Sequence, residues 1–176
     1  MQKVKMPVEL DPVKSAHKRS DFVGIFQLKD LSRLYEFVVS DSGQVDVDLK
    51  CTYDEQGLPI MLINAKTVVD VSCERCGGHL TLDLLVNATY TPKLSKTDED
   101  LIPSDYTIVD INEYGLLDLK ALIEDELLLA IPLVPKHPVE ECAIKEQDMS
   151  WGELDKAAQE KPANPFDVLK SLKNPK

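Results

Sequence analysis

Three stretches of this chain alternate apolar and polar residues over long runs, and a chain patterned that way is committed to strands. Val45, Val47, Leu49, Cys51 and Tyr53 alternate with Asp46, Asp48, Lys50 and Thr52. A period of two places the first set on one face of a half-buried strand, so Cys51 reads as a core residue. After the turn residues Asp54-Glu55-Gln56-Gly57, a second strand sets Met61, Ile63, Ala65, Thr67, Val69 and Val71 on one face, and the two form a hairpin. A third strand aligns Leu80, Leu82, Leu84, Val86, Ala88 and Tyr90 opposite His79, Thr81, Asp83 and Asn87. Between the second and third strands stands Cys73-Glu74-Arg75-Cys76-Gly77-Gly78.

Helical signals are fewer. Asp118 is placed to cap a helix in which Leu119, Leu122, Ile123, Leu127 and Ala130 share a face, ending before Pro132, with Glu124-Asp125-Glu126 expected on its wetter side. Leu31, Leu34, Tyr35 and Val38 suggest another helix after Asp30, preceded by a strand over residues 21–28. Residues 91–105 read as an acidic loop before a short strand at residues 106–111. The expected fold class is α+β: a mostly antiparallel sheet from long hairpins, a few packed helices and flexible basic termini. Its expected organisation is a basic N-terminal segment (1–20), an α+β domain (21–155), and a linker with a short amphipathic C-terminal helix (156–176). In that helix Asn164-Pro165 caps and starts the turn, and Phe166, Leu169 and Leu172 face one way, a candidate partner-binding surface.

The longest apolar stretch, Leu127 to Val134, is far short of the ~20 residues of a membrane-spanning helix and contains Pro132. At the N-terminus, Pro7, Glu9 and Asp11 stand where a secretory signal needs an apolar run. A cytoplasmic protein with no membrane partner is the expectation. Four unevenly spaced cysteines in a reducing compartment argue for metal or redox chemistry rather than a disulfide scaffold.

Cys73-x-x-Cys76 can present two thiolates to one tetrahedral Zn²⁺, and the following glycines let the backbone fold round it. His137 and Cys142, separated by four residues, supply an imidazole and a thiolate for the other half, so a Cys₃His zinc knuckle is geometrically available. The alternative is a pair of thiols at a tight turn with His137 exposed in a loop. A thiol oxidoreductase needs a helix after the first cysteine, where this pattern has a strand. A metal-dependent nuclease would draw on Asp46/Asp48 or Glu124-Asp125-Glu126, acid groups that are usually solvated surface.

The chain carries a net charge of −11, and residues 21–160 alone carry −17, because both ends are basic. An acidic body repels phosphate, so nucleic-acid contact is expected from the ends or a local patch: Lys3, Lys5, Lys14, Lys18 and Arg19, with Arg75 between the two cysteines.

The opening Met-Gln-Lys-Val-Lys-Met-Pro, with Leu10-Asp11-Pro12-Val13, resembles the start of the bacterial large ribosomal RNA subunit accumulation family, known as YceD. Cys73-Glu74-Arg75-Cys76-Gly77 resembles the C-x-R-C signature of that family. Asn112-Glu113-Tyr114-Gly115, the helix through Ala130-Ile131-Pro132, and Trp151-Gly152-Glu153-Leu154 are similar as well, and His137 and Cys142 match the proteobacterial form of its second half-site. The resemblance implies a non-enzymatic ribosome biogenesis factor that supports synthesis, processing or accumulation of 23S ribosomal RNA. It would bind precursor 23S rRNA or a large-subunit intermediate, with zinc as the candidate ion. The competing readings are an adaptor that docks a ribosomal protein or processing enzyme and touches RNA only indirectly, and an enzyme of the thiol or nuclease kind.

Overall fold

The structure is a computed structural model that describes residues 5–40, 42–94, 102–145 and 152. The chain divides into a compact unit, Met1–Ala143, and a second unit, Ile144–Lys176. Lys3, the linker from residue 156 and the helix expected to present Phe166, Leu169 and Leu172 lie outside the described residues.

The alternating stretches are strands. In chain order the first unit contains β1 (Glu9–Leu10), α1 (Pro12–Lys18), β2 (Asp21–Gln27), a 3₁₀ turn (Leu28–Asp30) and α2 (Ser32–Phe37). There follow β3 (Gln44–Tyr53), β4 (Pro59–Ser72), β5 (His79–Pro92), β6 (Thr107–Val109), β7 (Leu117–Asp118) and α3 (Leu119–Ala130). Strands β2-β3-β4-β5-β6 form one sheet, antiparallel except for the parallel β5–β6 pair, and β1 pairs with β7 in a second, two-stranded sheet. The α+β class is as expected.

The inward residues of β3 and β4 (Val45, Val47, Leu49, Cys51; Met61, Ile63, Ala65, Val69, Val71) share one buried core with Leu119, Ile123 and Leu127 of α3, in which α1 packs on β3 and β4 and α3 on β5. Leu119, Ile123 and Leu127 recur at helical spacing, which is why α3 forms where it does. Its N-cap is Asp118, whose carboxylate accepts from the Ala121 amide at 2.8 Å. The β3–β4 turn is closed by Asp54, whose Oδ1 accepts from the Gln56 and Leu58 amides, with Gly57 in the left-handed region at φ +82°.

Residues 5–20 are built into the fold. Asp11 caps α1 by accepting from the Lys14 amide at 2.9 Å, Pro12 stands at its first turn, and Pro12, Ser15 and Ala16 are buried. Asp followed by Pro is a helix-start signal, one that the reading of this segment as a tail passed over. A second difference concerns Glu124, expected on the wet side of its helix. It is buried at 3% exposure. One of its oxygens accepts from the Arg33 and Leu34 amides and the other pairs with the Arg33 guanidinium at 3.1 Å. Helix α2 has no side-chain cap of its own, so a carboxylate from α3 satisfies the amides that a helix start leaves free.

A Cys₃His cluster at the tip of the long hairpin

Strands β4 and β5 pair from Met61↔Tyr90 to Ser72↔His79, and at about 3.4 Å per residue this ladder is roughly 40 Å long. Its connection is the segment from Cys73 to Gly78. The Cys73 amide donates to the Gly78 carbonyl and the Gly77 amide to the Cys73 carbonyl, both at 2.8 Å. Gly77 takes φ +70°, a conformation that costs residues with a Cβ about 1 kcal/mol or more. A Cβ at Gly78 would stand 3.4 Å from Cys76 Sγ and 3.6 Å from His137 Cε1, so the Gly78 backbone packs against both halves of the cluster.

That second half arrives on the proline-bounded segment after α3. The Glu74 amide donates to the Pro135 carbonyl at 2.9 Å, which ties this segment to the hairpin tip. The Glu141 and Cys142 amides both donate to the Pro138 carbonyl, curling the chain so that Cys142 turns inward. One ligand atom from each of Cys73, Cys76, His137 and Cys142 lies within 4.8 Å of every other. Cys73 and Cys142 are each 1% exposed, and Cys76 and His137 are half-buried.

The donor set fits zinc. Cys76 Sγ and His137 Nδ1 are 3.5 Å apart, and Zn–S and Zn–N bonds of about 2.3 and 2.05 Å at a tetrahedral angle require a separation of about 3.5 Å. The other ring nitrogen, Nε2, stands 2.8 Å from the His79 carbonyl. A carbonyl only accepts, so Nε2 carries the proton and Nδ1 is the nitrogen available to a metal. This outer contact orients the imidazole. His79 acts here through its backbone carbonyl, which its side-chain identity does not reveal.

The electrostatics favour an ionised Cys73 thiol. Burial opposes a charge on Cys73, but the amides of His137, Cys76 and Arg75 and the Cys76 side chain outweigh it and bring the thiol down to about 6. His137 is raised, chiefly by its bond to the His79 carbonyl against the effect of burial, with the Cys73 and Cys142 sulfurs adding to the rise. Cys51 is the opposite case: burial, reinforced by Asp21, pushes its thiol up to about 11.

The proposed phosphate contacts do not gather in one place. Arg75 is half-buried on the turn between Cys73 and Cys76. Lys5 Nζ lies 3.1 Å from Asp30 and Lys14 Nζ 2.8 Å from Asp11, while Lys18 and Arg19 are exposed at the end of α1. Asp21, two residues beyond Arg19, pairs with Lys50, which pairs with Leu62. From Leu62 to the cysteine turn is about 33 Å along β4, so Arg75 and Arg19 mark opposite ends of the sheet.

The fold and cluster define an α+β protein whose longest hairpin ends in a zinc-type Cys₃His set closed by a distant part of the chain. Residues 61–173 match the family model described as Large ribosomal RNA subunit accumulation protein YceD. Over 173 residues, 98% of this chain and 99% of the relative, it is 39% identical to the Large ribosomal RNA subunit accumulation protein YceD of Haemophilus influenzae. The chain belongs to the YceD family. No solved structure matches it significantly.

Proposed function

We propose that the protein is a cytoplasmic ribosome biogenesis factor that supports accumulation of 23S ribosomal RNA by binding its precursor or a large-subunit intermediate. The observation that carries this reading is the 39% identity across nearly the whole of both chains to a relative named for large-subunit RNA accumulation. The zinc-type tip supports it as a rigid element. Four ligands from two distant segments lock the end of the hairpin and hold Arg75 on its turn, where a guanidinium can meet a phosphate. Contacts at both ends of the sheet suit an extended RNA better than a small ligand.

The role is binding rather than catalysis. A catalytic zinc keeps one position for water or substrate, whereas this cluster offers a protein atom at all four. A thiol exchanger needs an attacking sulfur that its substrate can reach, and Cys73, despite its lowered pKa, is 1% exposed. Among the described residues no helix is long and apolar enough to cross a membrane.

The test is deletion of the gene followed by measurement of 23S against 16S rRNA. The ratio is expected to fall, and to recover with the wild-type copy but not with one lacking Cys76 and His137. An unchanged ratio in the deletion strain would refute the role. Purified protein that cuts precursor transcript or reduces a disulfide would replace it with an enzymatic one.

A further inference from the structure

One face of the five-stranded sheet is packed into the core, while the other is open among the described residues and has a distinctive chemistry. On it Val23, Val68 and Leu85 are 71%, 56% and 63% exposed. Val68 pairs with Asp83 and Lys66 with Leu85, so Val68 and Leu85 are diagonal neighbours on adjacent strands, about 7 Å apart. A shallow groove of about 580 Å³ runs past them, lined also by Gln44, Asp46, Lys66 and Asp83. Asp48 lies beside Val23 across the β2–β3 pair.

We propose that this open face docks a basic polypeptide, a lysine- and arginine-rich protein segment whose aliphatic side chains rest on Val68 and Leu85 and whose cations meet Asp46, Asp48 and Asp83. Charge decides among the candidate occupants. The face carries Asp21, Asp46, Asp48, Asp70 and Asp83 against Lys50 and Lys66, within a body of net charge −17. Nucleic acid would bring phosphates against carboxylates, and a second copy would set the same aspartates against themselves. A cationic protein is complementary, and its apolar side chains cover the exposed aliphatics. This goes beyond the RNA contact proposed above: protein would be held on the sheet face, and RNA at the hairpin tip and the far end of the sheet.

The test places the photocrosslinker p-benzoylphenylalanine in the full chain at the position of Leu85, at that of Val68, and at exposed Tyr114 away from the sheet face as a control. After irradiation of growing cells, adducts are identified by mass spectrometry. A single protein of net positive charge is expected at both sheet positions and not at the control. Its yield should fall about tenfold when Asp46→Lys, Asp48→Lys and Asp83→Lys are combined, since like charges facing each other reverse the attraction. If the triple variant fails to fold, Asp83→Lys alone, at an exposed strand position, gives the same comparison. An adduct with RNA, with a second copy or with an acidic protein, no adduct at either position, or an adduct that survives charge reversal would each overturn the proposal.

Discussion

At the scale of single residues, cysteines that look alike in the sequence have opposite chemical fates. Cys76 faces His137 Nδ1 in the metal-type cluster. The protein is therefore expected to purify with one zinc per chain, and Cys76→Ser or His137→Ala to lose it. Loss of a structural ligand is a loss of folding energy, so melting should fall on the order of 10 °C. Cys51→Ala should keep the metal, and metal analysis with calorimetry separates the three variants. Cys51 leaves its mark in the pH dependence. Its folded pKa, about 11, stands above the ordinary 9.0, so its contribution is complete below pH 9 and is lost as pH rises toward 11, where only the unfolded chain ionises first. Between those values the wild type should lose on the order of 2 kcal/mol relative to Cys51→Ala, read from denaturant midpoints at each pH.

At the scale of elements, the long strands were legible because their period of two is carried by many residues at once, and Asp118 announced α3 as a cap of the usual type. What could not be read was what one element does for another. Helix α2 begins without a cap of its own, and the group that caps it, Glu124, is 91 residues beyond Arg33. An acidic triplet on a helix looks solvated until the partner helix is in place. Glu124→Ala should strand both amides, while the Arg33 guanidinium keeps its bonds to Asp125 and the Ala121 carbonyl. The cost is that of two unpaired amides at a helix start, about 2 kcal/mol, and a melting curve measures it. Gly77→Val should cost about 1–2 kcal/mol by forcing a branched residue to φ +70° at the hairpin tip, with weaker zinc retention as the companion readout.

At the scale of the whole molecule, the four candidate ligands could be named from spacing alone, but their convergence could not. Cys76 and His137 are 61 residues apart, and what joins them is the Glu74–Pro135 backbone bond and the turn on Pro138. The basic residues taught the reverse lesson: grouped by charge in the sequence, they are separated by the length of the sheet or already paired with Asp11 and Asp30. The proposed function requires Arg75 and the exposed basic residues to meet precursor 23S rRNA. Its most direct test is ultraviolet crosslinking of the tagged protein in growing cells, with sequencing of the attached RNA. The account predicts reads concentrated on precursor 23S rRNA and depleted by Arg75→Glu; reads no different from an untagged control would contradict it.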